Sequence, residues 1–302
     1  MQLFSGNSNP QLAQELSSGL STPLGDLVLK TFADGESYVE FNHSARRQNT
    51  LIVQSISKPV NDNFMNACVM IDAAKRNGAK SITLCAPYIG YSRQDRRAGE
   101  KRSPISAKMV ADILQAVGVT QVITIDIHNP AIEGFYNIPF INVFTSDLFA
   151  NDIKKNYGVS DLIIVSPDAG GVNRARAIAK VLDLDVAIVD KRREQANKIE
   201  EMRLIGDVDG KNAILVDDMA DTCGTLIKCA DLLLEKGAKS VVAYVSHGIF
   251  SGNALEKIQS SKLRELIVTN SIVSADADQV DKIRRVSVTP LLIDAIHRAV
   301  EG

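Results

Sequence analysis

Asp217, Asp218 and Asp221 fall within five positions, directly after the apolar run 214–216 and just before Gly224 and Thr225, in the stretch ILVDDMADTCGT. The pattern predicts a strand ending at Val216, a loop, and a helix opening near Thr225. The backbone N–H groups from Asp221 through Thr222, Cys223 and Gly224 to Thr225 then lie at a helix N-terminus, which favours an anion such as a phosphate. Gly224 lets the backbone approach that anion closely. Two carboxylates beside a phosphate need a partner rich in donors, or a metal. A ribose phosphate meets both demands: vicinal hydroxyls donate to Asp217 and Asp218 while the 5-phosphate rests against the N–H groups of residues 221–225. Asp and Thr also cap helices, but a cap accounts for one aspartate and not three.

Further polar stretches follow or interrupt apolar runs: FADGE (32–36), YSRQDRRAGEKRSP (91–104), DIHNP (126–130), VSPDAGG (165–171), DKRREQAN (190–197) and SHGIFSG (246–252). Singly, each has a plain structural reading. Asp34 and Gly35 suit a hairpin turn, an Asp-Gly turn links strand to helix at 168–171, and the two basic stretches suit solvated loops. As a set, together with VDDMADTCGT, they resemble the ribose-phosphate pyrophosphokinases, or phosphoribosyl pyrophosphate synthetases, of the phosphate-dependent bacterial and animal type, over about residues 3–299. VDDMADTCGT by itself is similar to the phosphoribosyl-binding motif of type I phosphoribosyltransferases.

That resemblance implies transfer of the β,γ-diphosphoryl group of ATP to the anomeric hydroxyl of ribose 5-phosphate, with Mg²⁺ as cofactor. It implies that Asp168, Ala169, Gly170 and Gly171 hold the diphosphate, that His128 and Asp168 hold the metal, and that His128, Arg93 and Gln94 contact ATP. A guanidinium suits phosphate and an amide suits a nucleotide edge. No Gly-x-x-x-x-Gly-Lys-Ser/Thr is present to hold ATP as a Walker loop would. Lys191 and Arg193 are implied as the catalytic cations on a closing loop, since phosphoryl transfer builds charge on the phosphoryl oxygens. Phe32, Asp34 and Glu36 are implied to hold adenine from a neighbouring subunit, in a homo-oligomer, a hexamer, with shared active sites. Asp126, two residues before His128, is expected on the same side of the strand, where it would orient the imidazole. Ser44 and Arg46 match part of the family's regulatory site. The family's Ser-containing tail of that site has no counterpart after AIHRAVEG, which puts allosteric control in doubt.

Positioning these groups calls for an α/β framework. Apolar runs rich in Val and Ile recur as TLIVQS, SITLCAP, QVITIDIH, LIIVSP, VAIVD, NAILVDD, SVVAYVSHG and LIVTNS. Each is continuous rather than alternating, as in strands buried on both faces, with helix-period segments between them. Over 63–76, for example, Phe64, Ala67, Cys68, Ile71 and Ala74 recur at three- and four-residue steps and the segment stops at Asn77 and Gly78. The chain also resembles itself: TLIVQS through GAKSITLCAP (50–87) parallels AILVDD through GAKSVVAYVSHG (213–248), with GAKS at 78–81 and 237–240. Two related phosphoribosyltransferase-type domains in tandem are therefore expected, 1–145 and 146–302, each a mostly parallel sheet flanked by helices, with a last helix at 290–302 that could pack on either. An ordinary phosphoribosyltransferase would need one such domain and leave RQD, DIH and DKRR without purpose. A non-catalytic synthetase-associated subunit would be expected to depart from these motifs, which are intact here.

Composition narrows the partners. With 302 residues, 45% of them hydrophobic, and a net charge of −2, the chain has material for two cores and no basic footprint for nucleic acid. Cys68, Cys85, Cys223 and Cys229 lack zinc or disulfide-framework spacing, and the start MQLFSGNSNPQLAQ has no leader pattern. No membrane span is read, and a cytoplasmic location is expected.

Overall fold

The computed structural model describes residues 1–97, 99, 102–192 and 201–301. The chain divides into two compact units: 1–143 with 271–273 and 287–302, and 144–270 with 274–286.

In the first unit the order is β1 (Gln2–Ser5), α1 (Pro10–Gly19), β2 (Leu27–Thr31), β3 (Ser37–Phe41), β4 (Asn49–Val53), α2 (Val60–Arg76), β5 (Ser81–Cys85), α3 (Ser106–Val117), β6 (Gln121–Ile125) and β7 (Phe140–Val143). Strands β1-β4-β5-β6-β7 form a parallel sheet, and β2 and β3 form a separate antiparallel hairpin. The periodicity of α2 is realised: Phe64, Ala67, Cys68, Ile71 and Ala74 are on its buried face. They pack with Phe4, Ile52, Leu84 and Leu114. The helix starts three residues earlier than its apolar pattern, at Val60.

The second unit runs α4 (Ser146–Tyr157), β8 (Leu162–Ser166), α5 (Val172–Leu182), β9 (Val186–Arg192), β10 (Glu201–Ile205), β11 (Asn212–Ala220), α6 (Gly224–Glu235), β12 (Ser240–Gly248), α7 (Ala254–Ser260), β13 (Glu265–Thr269) and β14 (Ile283–Val286). Its sheet has the order β10-β9-β8-β11-β12-β13-β14, parallel except for β10. Both faces are covered, which is why the strands read as unbroken apolar runs. Val165, Leu215, Val245 and Val268 pack with Leu226, Leu233 and Ile258 of α6 and α7. The alternate residues Ile164, Ile214, Val216, Tyr244 and Ile267 pack with Phe149, Ile153 and Ile178 of α4 and α5. The final helix, α8 (Thr289–Glu301), belongs to the first unit and packs on α1, β6 and β7.

The internal repeat extends to single hydrogen bonds. Gly78 and Gly237 both take left-handed φ, +80° and +92°, the conformation that ends a helix and that Gly adopts without a Cβ penalty. Ser81 Oγ donates to Asn49 Oδ1 at 2.9 Å, and Ser240 Oγ to Asn212 Oδ1 at 2.7 Å. Lys80 and Lys239 donate their backbone N–H to the carbonyls of Gln48 and Lys211, each at 2.8 Å. The same three-element unit, β4-α2-β5 and β11-α6-β12, is thus built twice.

Candidate active site

In parallel α/β sheets the carboxyl ends of the strands carry the ligand-facing loops, and in the second unit the acidic stretch lies at that edge. Here the structure corrects the sequence reading: β11 does not end at Val216 but continues to Ala220. Its partner β12 runs equally far, pairing Asp217 with Val245, Met219 with His247 and Ala220 with Gly248. Asp217 and Asp218 are therefore strand residues rather than loop residues, with their carboxyl groups close enough to interact. The loop shrinks to residues 221–223, and α6 opens at Gly224 with Cys223 as its N-cap.

Cys223 takes φ +59°, a left-handed conformation that costs a non-glycine residue about 1 kcal/mol or more. Its side chain is 5% exposed within the α6-side core, and burial, with Asp221 beside it, pushes the thiol up to about 12. The thiol thus stays neutral and packs the turn from below, while Thr222 is exposed. Hydrogen bonds from the N–H groups of Ile249 and Phe250 to the Ala220 carbonyl, at 2.9 and 3.0 Å, and from Ser251 to that of Asp221, at 3.0 Å, tie the turn to SHGIFSG after β12.

The electrostatics of the acid pair are distinctive. Asp218 is 7% exposed, and its backbone N–H donates to Asp217 Oδ1 at 2.9 Å. Burial and the neighbouring charge of Asp218 hold the Asp217 carboxyl well above the usual carboxylate range, against a downward pull from Arg174. Protonation of this site as pH falls is thus closer to neutral than for an exposed pair.

Beside β11 in the sheet, β8 ends at Ser166 and leads into Asp168, Ala169, Gly170 and Gly171. Asp168 Oδ1 accepts from the Gly171 N–H at 2.9 Å, and Ser166 Oγ donates to the Asp168 carbonyl at 2.7 Å. One carboxylate oxygen and one of the expected phosphate-facing N–H groups are therefore engaged within the loop. A Cβ on Gly171 would come within 2.8 Å of Ser166 Oγ, so glycine is required for this close turn. On the other side of β8, Lys191 lies near the end of β9, in register with Met202 of β10. Arg193 lies outside the described residues. The strand ends carrying Lys191, Asp168 and Asp217 are thus adjacent along one sheet edge.

In the first unit, Arg93, Gln94 and His128 follow the neighbouring strands β5 and β6. All three are exposed. Ser106 Oγ donates to Gln94 Oε1 at 2.7 Å, which leaves the amide NH₂ as the outward group. Asn129 donates to Asp95, joining the two loops next to His128 and Gln94. The expected pairing of Asp126 with His128 by strand alternation rests on a strand that has already ended, at Ile125. Asp126 turns to φ +35° and is 3% exposed, so the two-residue period no longer applies.

FADGE forms the tip of the β2–β3 hairpin. Phe32 N–H donates to the Glu36 carbonyl at 2.8 Å and Gly35 N–H to that of Phe32 at 2.9 Å. Asp34 Oδ1 accepts from the Glu36 N–H at 3.1 Å. The Phe32 ring stands 44% exposed, edge-on to Tyr38 at 5.4 Å. Large apolar groups exposed together on a short hairpin suit a contact surface.

One residue of the site went unnoticed in the sequence. Arg174, on the first turn of α5, has its guanidinium 3.8 Å from Asp218, and both side chains are largely buried. A cation at a helix N-terminus opposes the helix dipole, and that misplacement is the signal that could have singled it out.

A family model described as the N-terminal domain of ribose phosphate pyrophosphokinase matches residues 1–118, and one described as a phosphoribosyl synthetase-associated domain matches 194–302. Proteins named ribose-phosphate pyrophosphokinase from Agrobacterium fabrum and Ralstonia nicotianae are 48% and 47% identical, covering 100% of this chain and 97% and 96% of their own. The crystal structure of phosphoribosylpyrophosphate synthetase from Mycobacterium smegmatis superposes with a TM-score of 0.94 at 35% identity, over 99% of this chain and 98% of that one.

Proposed function

The chain belongs to the ribose-phosphate pyrophosphokinase family, and from that premise we propose how its residues divide the work of making phosphoribosyl pyrophosphate from ATP and ribose 5-phosphate. The anomeric hydroxyl oxygen bonds to the β-phosphorus of ATP and gives up its proton to solvent, the bond from that phosphorus to the α,β-bridging oxygen breaks, and AMP leaves. The observation that carries the residue assignment is the acid pair at the end of β11, followed by a three-residue turn into α6. Asp217 and Asp218 accept from the ribose hydroxyls, and the backbone N–H groups of residues 221–225 hold the 5-phosphate. Arg93 holds ATP phosphate and the outward amide of Gln94 meets the nucleotide. Gly170 and Ala169 approach the diphosphate, with Asp168 and Gly171 fixing their loop. Lys191 and Arg193 meet the charge that grows on the diphosphoryl oxygens.

Mg²⁺ borne on ATP takes one or two protein ligands and keeps waters and phosphate oxygens as the rest, so it needs no cage of side chains. Among the described residues no group of three His, Cys, Asp or Glu forms such a cage. Asp168, with one oxygen engaged by Gly171, fits the role of a single carboxylate ligand, and the resemblance assigns a metal-binding role to His128 as well. When bound, Mg²⁺ would supply positive charge to the phosphates of ATP. No helix among the described residues is long and apolar enough to cross a membrane. The cytoplasmic location is proposed from the substrates, which are small, charged and soluble.

The name of the domain matched at 194–302 keeps a non-catalytic associated subunit as the second reading. Incubation with ATP, Mg²⁺ and ribose 5-phosphate decides: catalysis yields AMP and phosphoribosyl pyrophosphate in equal amounts, and the second reading yields neither. For the sugar site, Asp217→Asn with Asp218→Asn is expected to raise KM for ribose 5-phosphate at least about 30-fold and KM for ATP no more than about threefold. Steady-state kinetics with each substrate varied reads this, and equal effects on both would indicate a metal role instead.

A further inference from the structure

Asp218 lies on β11 just beyond Ile214 and Val216, which pack against α4 and α5. Arg174 occupies the first turn of α5, just beyond the N-cap Gly171 that closes the Asp168 loop. Its side chain is 16% exposed and that of Asp218 10%, so solvent screens the pair poorly. At 3.8 Å the contact is an attraction between charges rather than a hydrogen bond. The guanidinium also stands where the helix dipole disfavours it, so its placement is stabilised by the acid pair and not by its own helix.

We propose that Arg174 is a positioning residue for the reaction: by lying against Asp218 it keeps the Asp217–Asp218 pair ionised and aimed, and so able to accept from the vicinal hydroxyls of the sugar. The inference rests on the assignment of that pair to ribose 5-phosphate. Two adjacent buried carboxylates resist sharing two negative charges, and a fixed cation relieves this without occupying the sugar's place. The direction of the Arg174 effect on Asp217, downward against burial and Asp218, agrees. Arg174 thereby couples the diphosphate loop, to which its helix is joined, to the sugar site on the neighbouring strand.

The pH consequence has a definite sign. The pair binds hydroxyls as acceptors only when ionised, so sugar affinity falls as pH drops through its apparent pKa values. Removing Arg174 raises those values and moves the loss to higher pH. Other titratable groups on the neighbouring elements include Asp168 after β8, Arg176 on α5, Asp147 and Asp152 on α4, His247 on β12, Asp221 in the turn, and Cys223 and Lys228 at α6. They remain in the variants, as do the ionisations of both substrates, and cancel in the comparison.

Arg174→Gln and Arg174→Met are expected to raise KM for ribose 5-phosphate about tenfold or more near neutral pH, with a much smaller effect on KM for ATP. The acid limb of kcat/KM for ribose 5-phosphate should shift up by about one pH unit. Arg174→Lys, which keeps the charge, should return the limb close to its wild-type position. An acid limb unmoved in a neutral variant whose circular dichroism matches wild type overturns the inference, as does a limb displaced equally by Arg174→Lys. The Asp217→Asn, Asp218→Asn enzyme run alongside separates the two premises. If its KM values for both substrates rise together, the sugar assignment is what fails. If only that for ribose 5-phosphate rises while the limb of the neutral Arg174 variants stays put, the fault lies with Arg174. Should neither neutral variant fold, an acid limb shifted by about one pH unit in Arg174→Lys would still overturn the role of charge, and an unshifted one support it.

Discussion

Lys191→Ala is expected to lower kcat at least about 10²-fold while leaving ATP binding nearly unchanged, because the lysine is assigned to charge that exists mainly in the transition state. β9 is held by β8 on one side and β10 on the other, with Lys191 in register with Met202. The pairing to β8 ends at Ile188, so at Lys191 itself the backbone is held by β10 alone, through the ladder to Met202. Diphosphoryl transfer leaves little covalent chemistry to the protein, so positioned cations supply much of the stabilisation that it can offer. Losing one such donor typically costs about 3 kcal/mol, or 10²-fold. Steady-state kinetics and calorimetric titration with ATP make the test. If KM rises while kcat stays constant, Lys191 is a ground-state contact and the diphosphoryl charge is met elsewhere.

How far the molecule was legible in its sequence follows sheet position. The eight apolar runs correspond to β4, β5 and β6 of the first sheet and to β8, β9, β11, β12 and β13 of the second, which are its interior strands. Among the described residues of the two large sheets, the strands that left no such run are β1, β7, β10 and β14, the sheet edges; the hairpin strands β2 and β3 left none either. An interior strand between two helix layers must be apolar on both faces, whereas an edge strand is short and partly solvated. β7 and β14 each bury one residue of four.

The same logic explains the site. The acid pair could be read from ILVDDMADTCGT because its types and spacing are local. The end of β11 was misjudged because two aspartates look like a loop, while the ladder to β12 carries them as strand. Arg174 was missed because its meaning depends on a strand distant in the chain, which only the fold brings beside it. The alternation argument for Asp126 does not apply for the converse reason: it holds only inside a strand, and β6 stops at Ile125.

The chain order gives the exposed hairpin a wider meaning. In the second unit β8 and α5 are followed by β9 and β10, and then by β11; in the first, β1 and α1 are followed by β2 and β3, and then by β4. The β2–β3 hairpin therefore occupies the position in the repeat that β9 and β10 occupy in the other copy, but it forms its own two-stranded sheet instead of joining the main one. The element that carries Lys191 in one copy carries Phe32, Asp34 and Glu36 in the other, on an arm whose apolar groups Val28 and Phe32 are 37% and 44% exposed. We propose that this arm serves a neighbouring subunit, where Phe32 would stack on adenine and the acids would accept from its exocyclic amine.

If that is its role, activity belongs to a pair of chains, and two inactive variants should restore each other. One carries Phe32→Ala with Glu36→Ala, the other His128→Ala with Asp168→Ala. Each alone is expected to fall at least about 10²-fold in kcat/KM. Refolded together in equal amounts with different tags, about one quarter of sites would combine an intact arm with an intact body if subunits mix at random in a symmetric assembly. Activity should then return to roughly that fraction of wild type. The readout is specific to sharing between chains, because an arm that acted within its own polypeptide would leave every mixed site defective. Mixed oligomers that co-purify through both tags yet stay as inactive as their parents would show that Phe32 serves its own chain.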